Sequence, residues 1–282
     1  MEKMIQYCTK ASLYDGEFGG GAPWPAAGMG YVFVSENRHL IVVDGGYGED
    51  AEGLVKLLTD CVDGGVATID LWIVTHPHGD HFGALREISL REDLRERVQV
   101  KKMIYYFPAE FRDGNGKAPC DKANRHMEGV RERFGAEVHI PAEGERMTVD
   151  GLELSFLFVP TDCTDLHNPN SLSLIFTVQG AHSRVMMTGD AFPETLKYCA
   201  EHYGEALQCD ILQLPHHGLC DTGHPEFYRL VNAKTLFVPI SKAGDRTMKS
   251  GIYGDLTAAN LVAEEMAEEI HYTYEGTLIY DL

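Results

Sequence analysis

One short segment of the sequence concentrates side chains that bind metal ions. Thr75-His76-Pro77-His78-Gly79-Asp80-His81 places three histidines and one aspartate within six residues. Imidazole and carboxylate groups are natural protein ligands of Zn²⁺, Mn²⁺ and Fe²⁺. A tight turn at Gly79 would direct alternate side chains toward two metal positions. A chance cluster on a solvated loop is disfavoured, because an apolar run directly precedes the segment. The segment therefore predicts a metal centre.

A buried strand is predicted to lead directly into this segment. Residues 71–75 form an apolar, β-rich run that stops at the first histidine, and a helix is predicted over residues 83–90. Upstream, residues 31–34 and 40–43 are typical of a hairpin across a polar turn. The hairpin ends in Asp44-Gly45-Gly46.

Strands and helices alternate along the rest of the chain. Strands are predicted over residues 103–107, 152–159, 171–178, 184–188 and 210–214, and helices near residues 122–134, 193–203 and 256–269. No internal repeat, low-complexity tract or linker interrupts this alternation. The sequence therefore predicts an α/β protein in which residues 1–282 form a single domain of two sheets flanked by helices.

Composition limits the possible partners. Lys and Arg total 24 against 43 Asp and Glu, which gives a net charge of −19. Because phosphate neutralisation supplies most of the affinity for nucleic acid, this balance disfavours a long nucleic acid as substrate. No apolar run reaches the roughly 18 residues of a membrane span, and residues 1–10 lack the apolar core of a secretory signal. The seven cysteines include no CxxC pair. We therefore expect a cytoplasmic protein with free thiols and no membrane association.

The metal-binding segment resembles the HxHxDH signature of the metallo-β-lactamase superfamily. By this resemblance, His76 and His78 bind one metal, and Asp80 and His81 bind the other. The expected cofactors are two divalent metal ions, with Zn²⁺ as the first choice and Mn²⁺ or Fe²⁺ as alternatives. The resemblance runs from residue 40 to the C-terminus. It implies the αββα sandwich of that family, in which two mixed β-sheets are flanked by helices.

The same resemblance assigns three further ligands. His167, in His167-Asn168-Pro169-Asn170-Ser171, matches the family's next histidine ligand, and Asp190, in Thr188-Gly189-Asp190, matches the carboxylate that bridges the two metals. His217, in Leu214-Pro215-His216-His217-Gly218, matches the final ligand.

Each of these three assignments has an alternative. His167 is otherwise a loop histidine with no ligand role, in which case Asn168 and Asn170 orient substrate. Asp190 is otherwise only a helix cap. His216 is otherwise the final ligand, although the preferred assignment places it beside the metals, where it hydrogen-bonds to substrate.

The closest branch within the superfamily is indicated by two motifs. The Asn168-Pro169-Asn170-Ser171 turn and the Leu214–Gly218 motif resemble the competence-protein (ComEC-like) nuclease domains and the teichoic-acid phosphorylcholine esterases. Two departures from the nuclease pattern are Leu219, where a serine is usual, and Asp255, where a histidine is usual. This resemblance implies a metal-dependent hydrolase that acts on a phosphodiester or related phosphoester in a small molecule. Asp80 would orient the attacking water and carry its proton, and His216 would assist the leaving group.

Other functions remain open at this stage. A carboxylic-ester, lactone or thioester hydrolase would use the same metal site. A non-catalytic binding protein is hard to reconcile with a complete set of ligand positions. A di-iron oxidoreductase of this superfamily is disfavoured, because it carries an acidic residue where this chain has His78.

Overall fold

The computed structural model describes residues 1–16, 27–164, 166–219 and 222–282. In these ranges the strands are β1 (Lys3–Gln6), β2 (Gly30–Val34), β3 (Leu40–Asp44), β4 (Ala67–Ile73), β5 (Val98–Ile104), β6 (Glu137–His139), β7 (Arg146–Val149), β8 (Leu152–Phe158), β9 (Ile175–Gln179), β10 (Arg184–Met187), β11 (Ile211–Gln213), β12 (Thr235–Val238), β13 (Glu269–Tyr272) and β14 (Leu278–Asp281). The α-helices are α1 (Ala51–Cys61), α2 (Gly79–Leu90), α3 (Glu92–Arg95), α4 (Pro119–Phe134), α5 (Pro193–Tyr203), α6 (Pro225–Val231), α7 (Lys242–Lys249) and α8 (Ala258–Met266). Short 3₁₀ helices cover Ala11–Leu13, Gly48–Asp50, Pro169–Leu172, Gly204–Leu207, Pro215–Gly218, Gly254–Thr257 and Thr273–Glu275.

The strands form two mixed sheets that share one internal plan. In the described part of the chain, the first sheet has the order β14-β1-β2-β3-β4-β5-β6, and the second has the order β13-β12-β11-β10-β9-β8-β7. In the first sheet β3 to β6 are parallel and the remaining pairs are antiparallel. In the second sheet β10 to β13 are parallel and the remaining pairs are antiparallel. The pairing of β14 with β1 favours a single domain, which stays a prediction.

The hydrophobic core has three layers of side chains. Tyr31 and Phe33 of β2 lie between the two sheets, in contact with a cluster that includes residues of β8 and β9. Val32 and Val34, on the other face of β2, pack in a cluster with residues of α1, α2 and α4. A third cluster lies between the second sheet and α5, α6 and α8. Because both faces of β2 are buried, the strand is apolar throughout. The layers follow the order helix, sheet, sheet, helix, so the predicted fold class is confirmed.

Several predicted boundaries are wrong by four or five residues, including the start of β4 at Ala67 rather than residue 71 and the start of β9 at Ile175 rather than residue 171. Helix α2 begins at Gly79 rather than residue 83, because the backbone N–H groups of His81 and Phe82 already donate to His78 O. Asp80 and His81 therefore lie in the first turn of a helix and not in a loop. Strand β5 begins at Val98 rather than residue 103, since it pairs with β4 along its whole length.

The six cysteines in the described ranges are free thiols, and Cys220 lies outside these ranges. No helix among the described residues has both the length and the apolar character needed to cross a membrane.

Candidate metal centre

Two groups of potential metal ligands meet where the parallel strands of both sheets end. The first group contains Asp80, His81, Asp190 and His217, and the second contains His76, His78 and Asp190. In each group the candidate ligand atoms all lie within 4.8 Å of one another. His76 follows β4 of the first sheet, whereas Asp190 and His217 follow β10 and β11 of the second. The site is therefore built between the carboxyl ends of strands, where α/β folds commonly place their ligands.

Asp190 is common to both groups. Its Oδ2 lies 3.2 Å from His81 Nε2, 3.4 Å from His217 Nε2 and 3.6 Å from His76 Nε2. The Asp190 side chain is only 2% exposed, so these rings replace the water that a carboxylate would otherwise bind. One carboxylate that faces two sets of ligands has the arrangement that a two-metal site requires.

Atoms without hydrogen-bond partners test whether cations fit here. Four buried side-chain atoms of this cluster make no hydrogen bond with any described residue: His76 Nε2, His81 Nε2, His217 Nε2 and Asp190 Oδ1. Buried polar atoms of native proteins are nearly always hydrogen-bonded, so a cluster of exceptions calls for a missing partner. Imidazole nitrogens and carboxylate oxygens at this spacing suit divalent cations such as Zn²⁺, Mn²⁺ or Fe²⁺. The residues present therefore fit the expected cofactors.

The electrostatics of the metal-free cluster point to the same partner. Burial by itself would lower the pKa of His217, but the nearby Asp190 and Asp80 carboxylates raise it to about 10. Burial likewise opposes the charge on His81, and Asp190 and Asp44 nevertheless raise the pKa of that ring well above its usual value. Burial lowers the pKa of His76 well below its usual value. Without a cation, protons on His81 and His217 therefore balance the buried carboxylates.

Metal binding is consequently expected to release protons. The neighbouring carboxylates raise the pKa of both His81 and His217 in the metal-free protein and so favour their protonated forms, whereas a metal needs their unprotonated Nε2. Apparent metal affinity should rise with pH until it passes these raised pKa values. Calorimetric titrations of Zn²⁺ in two buffers of different ionisation enthalpy should give about two protons released per chain. The His217→Ala variant should release about one fewer, and absence of any buffer dependence would contradict this account.

Asp44 holds His81 in place, a role that the sequence analysis did not assign. Asp44 is fully buried, and its Oδ2 accepts a hydrogen bond of 2.8 Å from His81 Nδ1. Its carboxylate also accepts bonds from the backbone N–H and the hydroxyl of Thr75. With Nδ1 fixed in this way, His81 directs Nε2 toward Asp190. The only sequence signal was a carboxylate between a buried strand and Gly45-Gly46.

Gly189 allows the two sheets to approach each other at the site. Its φ is +54°, and a Cβ there would lie 2.8 Å from the Cβ of Thr75 and 3.0 Å from Ser173 Oγ. Across this contact Leu174 N donates to Thr75 O, and Asp190 N donates to Ser173 Oγ. A larger residue would push Asp190 away from the histidines of the first sheet.

A left-handed turn positions His216 and His217. Their φ angles are 44° and 58°, and Gly218 follows at 68°. Each non-glycine residue in this region costs about 1–2 kcal/mol, so the surrounding structure must hold the turn in place. His217 Nδ1 donates to Pro239 O at 2.6 Å, which leaves Nε2 facing Asp80 and Asp190.

His216 lies beside the cluster rather than within either ligand group. Its Nε2 is 4.0 Å from Asp190 Oδ2 and 3.1 Å from the side-chain amide nitrogen of Asn170. Burial lowers the pKa of His216 to about 4, with partial compensation from Asp190, so the ring is neutral at neutral pH. Between the two histidines, His217 is the one that belongs to a candidate ligand group, and its assignment as the final ligand stays a prediction.

His167 lies outside both groups, contrary to the expectation of a ligand. Its side chain is exposed, and its backbone carbonyl accepts a hydrogen bond from Gly114 N. The chain turns inward only after His167, because Asn168 caps the 3₁₀ helix that starts at Pro169 and accepts from Asn170 N. Asn170 is consequently buried next to His216, with its Oδ1 free of partners among the described residues.

The variant His167→Ala is expected to leave the metal content unchanged. An exposed side chain that contacts none of the candidate ligands contributes little to cation affinity, so the change should be below about twofold. Elemental analysis of the purified variant and a zinc titration would measure it. His76→Ala is the matched comparison and should lose metal, whereas a similar loss in both variants would restore His167 as a ligand.

Comparisons with known proteins agree with this architecture. A family model described as the metallo-beta-lactamase superfamily matches residues 26–235. The chain is similar to the structure of YhfI, a metallo-beta-lactamase fold protein from Bacillus subtilis, with 12% identity, a TM-score of 0.56 and 99% of both chains covered. It is also similar to Zn²⁺-bound PqqB from Methylobacterium extorquens, with 10% identity, a TM-score of 0.57 and 100% of both chains covered.

A third similar solved structure is that of an enzyme with a stated activity. CmlA from Streptomyces venezuelae is a diiron beta-hydroxylase, and the chain matches it with 14% identity and a TM-score of 0.55 over 99% of this chain and 54% of that one. At such low identities these similarities establish the fold alone. No curated protein matches the chain.

Proposed function

The chain belongs to the metallo-beta-lactamase superfamily, and we propose that it is a hydrolase that uses two divalent cations to cleave a small phosphoester with water. The observation that carries this proposal is the position of Asp190, which is shared by both ligand groups. His76 and His78 would hold one cation with Asp190, and Asp80, His81 and His217 would hold the other. Zn²⁺ is the first choice, and Mn²⁺ or Fe²⁺ would suit the same donors.

Bound cations would lower the pKa of water and stabilise negative charge that develops on the substrate. The chain itself must then position the water and receive its proton. Asp80 is suited to this role because its side chain is 14% exposed, compared with 2% for Asp190, and it therefore reaches the accessible side of the cluster. Its Oδ2 lies 3.3 Å from His217 Nε2, so both atoms would contact the same cation.

His216 and Asn170 would contact the substrate. Because the pKa of His216 is lowered to about 4, its ring would assist a leaving group by hydrogen bonding rather than as an imidazolium acid. Asn170 Oδ1 offers a further buried acceptor at the same position. Buried polar atoms without partners raise the selectivity of a site, since a ligand that fails to satisfy them binds poorly.

The phosphoester class is supported by the Asn168–Ser171 turn and by the Leu214–Gly218 motif, which resemble the phosphodiesterase branch of the superfamily. The net charge of −19 favours a small diester over a long nucleic acid, which would be repelled at most of the surface.

The decisive experiment is hydrolysis of bis(p-nitrophenyl) phosphate by metal-stripped protein that is then reloaded with Zn²⁺ or Mn²⁺. Turnover that depends on the metal and is lost in Asp80→Ala would support the proposal. p-Nitrophenyl acetate, which releases the same chromophore, is the matched acyl substrate. If only the acetate is hydrolysed, the proposed substrate class would change from a phosphoester to a carboxylic ester, lactone or thioester. No turnover of either substrate at about two metals per chain would favour a binding protein.

A further inference from the structure

A polar pocket lies beside the metal-binding segment, between α2 and α4. It has a volume of about 430 Å³. Pro77 and Gly79 form one wall, and these residues alternate in the chain with His76, His78 and Asp80. The polar groups of its lining are Arg86, Lys122 and His126. The pocket therefore shares a wall with the candidate metal centre but contains none of its ligands.

The charge of this pocket is opposite to that of the whole chain. The chain has 43 acidic residues and a net charge of −19, yet no carboxylate belongs to the described lining of the pocket. Within the described ranges, neither Arg86 nor Lys122 forms an ion pair with a carboxylate. Other cations of the chain, such as Arg91 and Arg131, do have acidic partners. A half-buried arginine without a carboxylate partner among the described residues, in so acidic a protein, calls for an anionic ligand.

The hydrogen bond between Arg86 and His126 prepares the pocket for such a partner. Arg86 Nε donates to His126 Nδ1 at 3.3 Å. The neutral ring therefore carries its proton on Nε2, where it is available as a donor. The terminal N–H groups of Arg86 and the Nζ of Lys122 add further donors. Burial, followed by the positive charges of Arg86, Lys122 and Arg125, lowers the pKa of His126, so each charged group that acts on this ring is a cation.

We propose that this pocket binds a small oxyanion, such as a phosphate or carboxylate group of a ligand, through Arg86, Lys122 and His126. A guanidinium fork and an ammonium group together match the several oxygens of a tetrahedral anion. The pocket volume exceeds that of a single phosphate group, so the anion would belong to a larger small molecule. This inference does not depend on the proposed hydrolysis, because it concerns binding at residues outside the metal centre.

Sulfate is a suitable probe, because it is tetrahedral and does not precipitate zinc. The metal-loaded chain of 282 residues, with ¹⁵N-labelled histidine rings, would be titrated with sulfate while the His126 signals are followed by NMR. The signals should shift and saturate in the unmodified protein. Arg86→Gln combined with Lys122→Gln should raise the sulfate concentration at half-saturation by at least about tenfold. Acetate titrated in the same way would show whether a carboxylate also binds.

The matched control is Arg229→Gln combined with Lys234→Gln. It removes the same two charges from exposed ion pairs of the other half of the molecule, and its sulfate affinity should stay within about twofold. Thermal melting checks that the variants fold, and the exposed Lys122→Gln alone would carry the test if the double variant does not. His126 signals that ignore sulfate, or that respond equally in the unmodified protein and the pocket variant, would overturn the proposal.

Discussion

Replacing Asp190 by asparagine is expected to lower the metal content from about two ions per chain to one or none and to reduce metal-dependent hydrolysis at least about a thousandfold. Asp190 Oδ2 lies within 3.6 Å of Nε2 of His76, His81 and His217, so one charge serves both ligand groups. Asparagine has nearly the same shape but no charge. It would therefore leave the histidines in place while removing the electrostatic attraction for two cations.

Elemental analysis and hydrolysis assays on the same Asp190→Asn preparation would measure both effects. Asp60→Asn is the control, because Asp60 is an exposed residue on α1 whose one ion pair among the described residues is with Lys56. It should retain both metals and full activity. A fully active Asp190→Asn protein with an unchanged metal content would exclude Asp190 as the shared ligand.

Replacing Asp80 by asparagine is expected to separate catalysis from metal binding. The group formed by His76, His78 and Asp190 does not include Asp80, so at least one cation should remain. The turnover number should nevertheless fall by about a hundredfold to ten-thousandfold, the usual contribution of a group that transfers a proton in the transition state. The loss should appear in kcat more than in KM, since Asp80 acts on the water rather than on the substrate.

Steady-state kinetics at saturating metal, with metal content measured in parallel, would test the role of Asp80. Full activity of Asp80→Asn with full metal loading would contradict the proposal that Asp80 positions the water and receives its proton. Loss of both metals would instead make Asp80 mainly a ligand. The same assay on His216→Gln should show a smaller loss, about tenfold to a hundredfold, because a neutral ring contributes only a hydrogen bond.

The sequence predicted the metal-binding segment because its chemistry is local. Three histidines and an aspartate within six residues predict a metal centre without any knowledge of tertiary contacts. Asp190 and His217 were assigned only through the family resemblance, since each lies more than a hundred residues from the segment. Asp190 follows β10 and His217 follows β11, and the parallel pairing of these two strands places both residues at the same end of the second sheet. The parallel pairing of β3 with β4 likewise places Asp44 and the metal-binding segment at the same end of the first sheet.

Roles that depend on tertiary contacts are not specified by the residue pattern. Asp44 acts on His81, 37 residues away, because β3 and β4 lie side by side. Asn170 is buried beside His216 while His167 is exposed, because the 3₁₀ helix begins at Pro169. The residue pattern does not specify where this helix begins. Helix α7 was not predicted because most of its residues are polar and few are buried. Strand β13 was not predicted, because the helix predicted near residues 256–269 extended past the end of α8 at Met266 to the first residue of the strand.

The two-sheet origin of the ligands has a consequence for stability. Asp80 and His81 lie on α2, which follows β4 of the first sheet, whereas Asp190 and His217 follow β10 and β11 of the second sheet. A cation held by all four would act as a cross-link between two layers that are otherwise joined mainly by apolar side chains. Its binding energy would then count as folding energy, about 4 kcal/mol when the free metal exceeds its dissociation constant a thousandfold. Resistance to heat would thus follow the free metal concentration, and a chelator would act on this protein as a mild denaturant.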